Sequence, residues 1–289
     1  MNRIYPNQVR LTIDGGIKMV DVKYTLTEDG KISFEDTGGN GVPVICAPGM
    51  GDLRSVYRFV TRDLKRRGYR VITIDLRGMG DSTVEWRDYS ESSIALDILS
   101  LINQLELKSV ILIGNSISAG ASVIVATQHP EIISKVVLIS PFARNASIPW
   151  FKVFLFRLAL ARPWGISVWT NYQSSRLYPS IKPPDMETYT LSVKTMLRQR
   201  GRMKAFQKMA ATNHTKAEEN IEHLNVPAMI VMGSKDPDFP DPRKELDWYV
   251  ARTGARSVMI EGAGHYPQAE YPEKFIACLT DFIGEGNVS

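Results

Sequence analysis

One stretch limits the folds open to this chain more than any other: Ser109-Val110-Ile111-Leu112-Ile113-Gly114-Asn115-Ser116-Ile117-Ser118-Ala119-Gly120-Ala121. The apolar, largely β-branched run up to Gly114 has no polar interruption, as in a strand buried on both faces of a sheet. From Ser118 to His129 small residues suit a helix packed closely against its neighbours. Ser116 falls at the tip of the turn between them. There its hydroxyl projects over the sheet edge, beside the free N–H groups of a helix N-terminus, which can stabilise negative charge. A nucleophile needs that placement. The pattern departs from GxSxG, because Ser118 stands where the second glycine would be. Serine is still small, so one hydroxymethyl group fits with a minor adjustment.

The rest of the chain repeats the strand and helix alternation. Apolar strands are predicted at Val42–Ala47, Arg70–Leu76, Val110–Ile113, Lys135–Ile139, Ala228–Met232 and Arg256–Ile260, with helices at Leu53–Arg67, Ser92–Leu105 and Pro272–Ile283 between or after them. Two antiparallel edge strands, Gly16–Leu26 and Lys31–Asp36, join at Glu28-Asp29-Gly30. This predicts an α/β fold with a mostly parallel central sheet covered by helices on both faces. Ligands bind such sheets at the C-terminal ends of the strands, so the loops after Ala47, Gly114, Met232 and Ile260 converge.

Each of those loops carries a residue type that serine chemistry uses. Pro48-Gly49-Met50-Gly51 allows unusual backbone angles and close approach, so the Met50 N–H can point at a substrate oxygen; a plain tight turn is the rival reading. Asp236, just past the strand ending at Met232, can reach across the sheet edge to a histidine. Asp238 is its competitor, and either could be a simple turn residue. His265 lies in Glu261-Gly262-Ala263-Gly264-His265, a loop able to bring an imidazole to Ser116 on one side and a carboxylate on the other. His129, His214 and His223 fall where solvated or packed roles are commoner.

From Phe142 to about His214 the alternation lapses, and over Phe142 to Glu218 the charge changes with it. That segment holds 13 Lys or Arg against 3 Asp or Glu, a balance of +10 in a chain whose total is +4. It divides the chain into a core, residues 1–141 and 219–289, and a helical cap, residues 142–218. Its aromatics, Trp150, Phe151, Phe154, Phe156, Trp164 and Trp169, interleave with Lys152, Arg157 and Arg162. An apolar lid over the pocket is one reading; an amphipathic surface facing anionic lipid is the rival, though helix packing is the commoner fate of such a stretch. No nucleic-acid module is recognisable. Met1-Asn2-Arg3-Ile4-Tyr5-Pro6 does not read as a signal peptide, and a cytoplasmic enzyme is expected. Cys46 and Cys278 read as free thiols, and neither a metal nor a cofactor is expected.

The Ser, Asp, His order, the Pro48–Gly51 turn, the Asp75-Leu76-Arg77-Gly78-Met79-Gly80-Asp81-Ser82 segment and the Gly264-His265 loop together resemble the α/β-hydrolase superfamily, from about residue 16 to 283. The resemblance implies Ser116 as nucleophile, His265 as general base and acid, Asp236 as its orienting carboxylate, and the N–H groups of Met50 and Ile117 as an oxyanion hole. Where the family often has His-Gly, this chain has Pro48-Gly49. The expected reaction is hydrolysis of a small-molecule carboxylic ester or lactone. Thioester, amide and carbon–carbon cleavage use the same triad, and a ligand receptor or a lipase at a membrane surface are further readings on this fold.

Overall fold

The computed structural model describes residues 9–11, 17–19, 22–145, 150–161 and 163–285. The readings made above on Met1–Pro6, on Gly16, Val20 and Asp21 and on Arg162 lie outside them. Ten strands occur among the described residues: β1 (Val9–Leu11), β2 (Ile17–Met19), β3 (Lys23–Thr27), β4 (Gly30–Asp36), β5 (Pro43–Ala47), β6 (Arg70–Ile74), β7 (Val110–Asn115), β8 (Ile133–Ile139), β9 (Ala228–Gly233) and β10 (Arg256–Ile260). Eight form the main sheet in the order β10-β9-β8-β7-β5-β6-β4-β3. From β10 through β6 every neighbouring pair is parallel. β4 joins β6 antiparallel, and β3 closes that edge as a hairpin.

The edge differs from the expected Gly16–Leu26 strand. That segment is divided: Ile17–Met19 pairs with Val9–Leu11 in a separate ribbon, and only Lys23–Thr27 joins the sheet. The alternation that suggested one strand therefore belongs to two.

The parallel strands are apolar because both of their faces are covered. Every residue of β7 and β9 is buried. Helices α2 (Glu91–Gln104), α3 (Ile117–Gln128) and α8 (Thr215–Ile221) pack together as one layer, and α1 (Arg58–Arg66), α10 (Pro267–Glu270) and α11 (Pro272–Gly284) as another. Between β8 and β9 lie α4 (Trp150–Ala159), α5 (Gly165–Ser175), α6 (Met186–Arg198) and α7 (Arg202–Met209), ahead of α8; α9 (Pro242–Thr253) follows β9. This insertion is fastened to the core by polar contacts. Arg58 Nε donates to Asp185 Oδ2 at 2.6 Å, and Arg202 donates to the Met79 and Ser82 carbonyls. Cys46 is buried, Cys278 half-buried, and neither is in a disulfide.

Beside the sheet edge, Arg54 is only 1% exposed and pairs with the carboxylates of Asp75, Glu35 and Asp81. Burial opposes its charge, but the three acids outweigh burial and raise its pKa. Removing one member of such a network strands buried charge. Arg54→Met is expected to lower the unfolding free energy by about 3–5 kcal/mol, read from urea denaturation. A loss below about 1 kcal/mol would show that solvent screens the cluster as it does a surface pair.

Candidate active site

Two loop ends meet where the strand order reverses, after β5 and after β7. The chain runs from β5 to β6 on one side and then crosses to β7 on the other, which opens a crevice at the C-terminal ends of the strands. Close approach here depends on glycine. A Cβ on Gly114 would lie 2.3 Å from the Ser118 carbonyl oxygen, and one on Gly49 would lie 3.3 Å from the Ser116 Cβ.

Ser116 caps α3 with φ 57° and ψ −122°, a strained conformation for a residue with a side chain. Its neighbours hold it there. The Ser116 N–H donates to the Ile139 carbonyl at 2.9 Å, and its own carbonyl accepts from Ala119 and Phe142. Ser118, in place of the second elbow glycine, does more than fit. Its hydroxyl donates to the Pro48 carbonyl at 2.5 Å, tying the turn at Ser116 to the loop that carries Met50. Among the described residues, the N–H groups of Met50 and Ile117 have no backbone acceptor.

His265 is buried, and its Nδ1 lies 2.8 Å from Asp236 Oδ2. Such a contact places a proton on Nδ1 and leaves the Nε2 lone pair free. Burial would lower the imidazole pKa, but the charges of Asp236 and Asp238, the Asp236 hydrogen bond and the more remote charge of Asp52 raise it to about 9. The two aspartates weighed against each other in the sequence thus both reach the ring. Asp238 Oδ2 stands 3.4 Å from Nδ1, and its other oxygen accepts from the Tyr172 hydroxyl on α5. Burial raises the Asp238 pKa and the charge of Asp236 adds to this, against the pull of His265 and Tyr172. Asp236 has the shorter contact and the lower exposure. These three side chains are also the group among the described residues whose ligand atoms, within 4.8 Å of one another, are close enough to hold a cation. With Nδ1 facing two carboxylates, however, the imidazole here is a proton donor to them.

The loop around His265 is fixed at several points. Asn115 Nδ2 donates to the His265 carbonyl at 3.3 Å, joining it to the residue before Ser116. The His265 N–H donates to the Leu177 carbonyl of the insertion at 3.1 Å. Glu270 accepts from the Gly264 N–H at 2.6 Å and from Ser180 and Ile181. The Phe142 ring lies 5.7 Å from the imidazole and stacks on His214, whose Nδ1 is 2.8 Å from Glu91. His214 therefore packs beside the site without joining it.

Three contributors carried no signal in the sequence. Asp52 is buried directly after the Gly49–Gly51 turn, and burial lifts its pKa to about 6 against hydrogen bonds from Tyr189 and the Leu53 N–H. Tyr172 and Glu270 lie far along the chain from the loops they brace, so no spacing reveals them. Of the aromatics in the insertion, Trp169 turns inward: its Nε1 donates to the Gly51 carbonyl at 3.2 Å, and its ring meets Phe206 at 4.6 Å.

This arrangement of sheet, crevice and loops defines a hydrolase fold, and the comparison with known sequences is specific. Residues 44–277 match the Alpha/beta hydrolase family, to which the chain belongs. A Paraburkholderia phymatum protein named 2-hydroxy-6-oxononadienedioate/2-hydroxy-6-oxononatrienedioate hydrolase is 26% identical over 287 residues, covering 94% of each chain. An esterase from Exiguobacterium antarcticum superposes with a TM-score of 0.77 at 21% identity, covering 91% of this chain and 99% of that one. The enol-lactonase of Burkholderia xenovorans gives 0.76 at 21%, covering 91% and 100%. At those identities the two structures speak for the fold alone.

Proposed function

We propose that this protein is a serine hydrolase that cleaves a carboxylic ester or lactone through an acyl-enzyme on Ser116. The observation that carries the reading is the His265–Asp236 contact, on a loop tied by Asn115 to the strained turn bearing Ser116. Ser116 Oγ attacks the carbonyl carbon while His265 Nε2 takes its proton. The Met50 and Ile117 N–H groups face the oxygen that becomes negative. As the tetrahedral adduct collapses, the bond to the leaving alkoxide breaks and the imidazolium returns the proton to it. Water then attacks the acyl carbon, again giving its proton to His265, and as the bond to Ser116 Oγ breaks the imidazolium returns that proton to Oγ and the acid departs. Asp236 holds the imidazole in the right tautomer throughout. Residues 142–218 act as the cap, with Trp169 and Tyr172 packed on the loops that do the chemistry.

A second reading has its own support. The relative matched over 94% of both chains is named for an oxo-dienedioate substrate, and the insertion carries an excess of positive charge. Hydrolysis of that substrate class belongs beside esters and lactones in any activity panel.

A serine-directed fluorophosphonate tests the nucleophile without knowledge of the substrate. One phosphonate per chain is expected on the peptide containing Ser116, and none after heat denaturation. Labelling spread over other serines, or absent from the native protein, would defeat the acyl-enzyme reading.

A further inference from the structure

Among the described residues, helix α4 and the start of α5 carry the densest run of apolar side chains exposed to solvent. Phe154, Leu155, Phe156, Leu158, Trp164 and Val168 are between 40% and 58% exposed. Successive residues of a helix are set about 100° apart, so exposure of every position from Phe154 to Leu158 leaves most of the circumference of α4 uncovered. The chain turns inward just past the helix, at the buried Leu160. Trp164 adds to the apolar surface, since its indole N–H is already taken by the Leu158 carbonyl at 2.9 Å. A contiguous patch of this kind marks a contact surface.

Charge identifies what the surface meets. From Ile132 to Pro184 the sequence holds no Asp or Glu at all, while Lys152, Arg157 and Arg162 fall within the apolar stretch and Arg176 and Lys182 follow it in the chain. Arg157, Arg176 and Lys182 are exposed. A second copy docked by two-fold symmetry would set these cations against one another. An anionic lipid surface would attract them and take up the aromatics together. The helix is ten residues long, and no helix among the described residues is long and apolar enough to cross a membrane, so α4 would lie in the interface plane.

We propose that the exposed face of α4 and α5 seats the protein on anionic lipid surfaces. The contact needs no catalysis, so it stands or falls separately from the hydrolase reading. It also goes beyond that reading, because it places the insertion at a boundary from which amphipathic substrates could be taken.

The test is co-sedimentation of the full chain with vesicles of phosphatidylcholine containing phosphatidylserine, and with vesicles of phosphatidylcholine alone, at low and high salt. Binding is expected to the anionic vesicles only and to weaken as salt rises. Phe154→Ser with Leu158→Ser should weaken it about tenfold or more, and Arg157→Glu should weaken it at low salt. Circular dichroism of the variants should match that of the wild type, because these side chains contribute little to the core. Absence of binding to anionic vesicles would overturn the proposal. So would binding to neutral vesicles that salt leaves unchanged. A dimer in sedimentation velocity that the double serine variant dissociates, without vesicle binding, would assign the face to a second copy instead.

Discussion

Ser116→Ala should reduce ester turnover by about 10⁵-fold or more while leaving the protein folded. In the proposed mechanism the hydroxyl carries the acyl group, so its removal should appear as a loss in kcat even where substrate still binds. The backbone has no reason to change. The Ser116 N–H and carbonyl make their hydrogen bonds through main-chain atoms, and alanine faces the same positive φ as serine. Ser116→Gly extends the argument: glycine relieves the strain of that φ, so it should be equally inactive yet more stable, by about 1 kcal/mol. Both follow from hydrolysis of a chromogenic ester and from denaturation curves. A Ser116→Ala protein retaining a tenth of wild-type turnover would remove Ser116 from the chemistry.

The second large effect separates the two aspartates. Asp236→Asn is expected to lower kcat by about 10⁴-fold, because an amide favours the wrong imidazole tautomer and no longer stabilises the charged ring. Asp238→Asn should leave turnover within about tenfold at alkaline pH. Its effect lies in the pH profile. His265 must be neutral to act as a base, and with both carboxylates beside it the ring is held protonated up to about pH 9, so kcat/KM should rise with pH until that value is passed. Loss of the Asp238 charge removes part of what raises the pKa. The rising limb should therefore move down toward the ordinary histidine value of about 6.5. A wild-type limb already near that value, unmoved by Asp238→Asn, would show that the second carboxylate does not act on the ring. If Asp238→Asn were the more damaging substitution, the orienting role would pass to Asp238.

The parts of this site that could be read from the sequence are those set by local physics. A strand buried on both faces must be apolar throughout, a strand-to-helix turn too tight for a side chain needs Gly114, and the strand order of an α/β sheet decides which loops meet. Those rules lead to Ser116, His265 and the Asp236 and Asp238 pair. The choice between the aspartates was open because residues two apart in a turn can both aim a carboxylate at one ring, and the structure shows both doing so, at 2.8 Å and 3.4 Å from His265 Nδ1. What could not be read are contacts between residues distant in the chain: Tyr172 on Asp238, Tyr189 on Asp52, Glu270 beneath Gly264. The split of the Gly16–Leu26 segment has the same origin, since alternation gives a strand its faces without naming its partner. Ser118 is an intermediate case. Its smallness was legible and its hydrogen bond to Pro48 was not.

The Leu177 carbonyl that accepts from the His265 N–H bears on how such enzymes could be recombined. Chimaeras are often built by exchanging the segment between two core strands, on the premise that the core keeps its reactivity and the exchanged segment brings only selectivity. Here the boundary is shared. A Cβ on Gly264 would sit 2.5 Å from that same carbonyl, so the foreign segment would have to reproduce the Leu177 backbone within a fraction of an ångström to keep the imidazole in place. Transplants joined at 142 and 218 should lose rate in proportion to their misfit at Leu177, whatever new substrate they admit. A graft that spares Leu177–Ser180 and replaces only the helices on either side keeps the imidazole loop in its native setting.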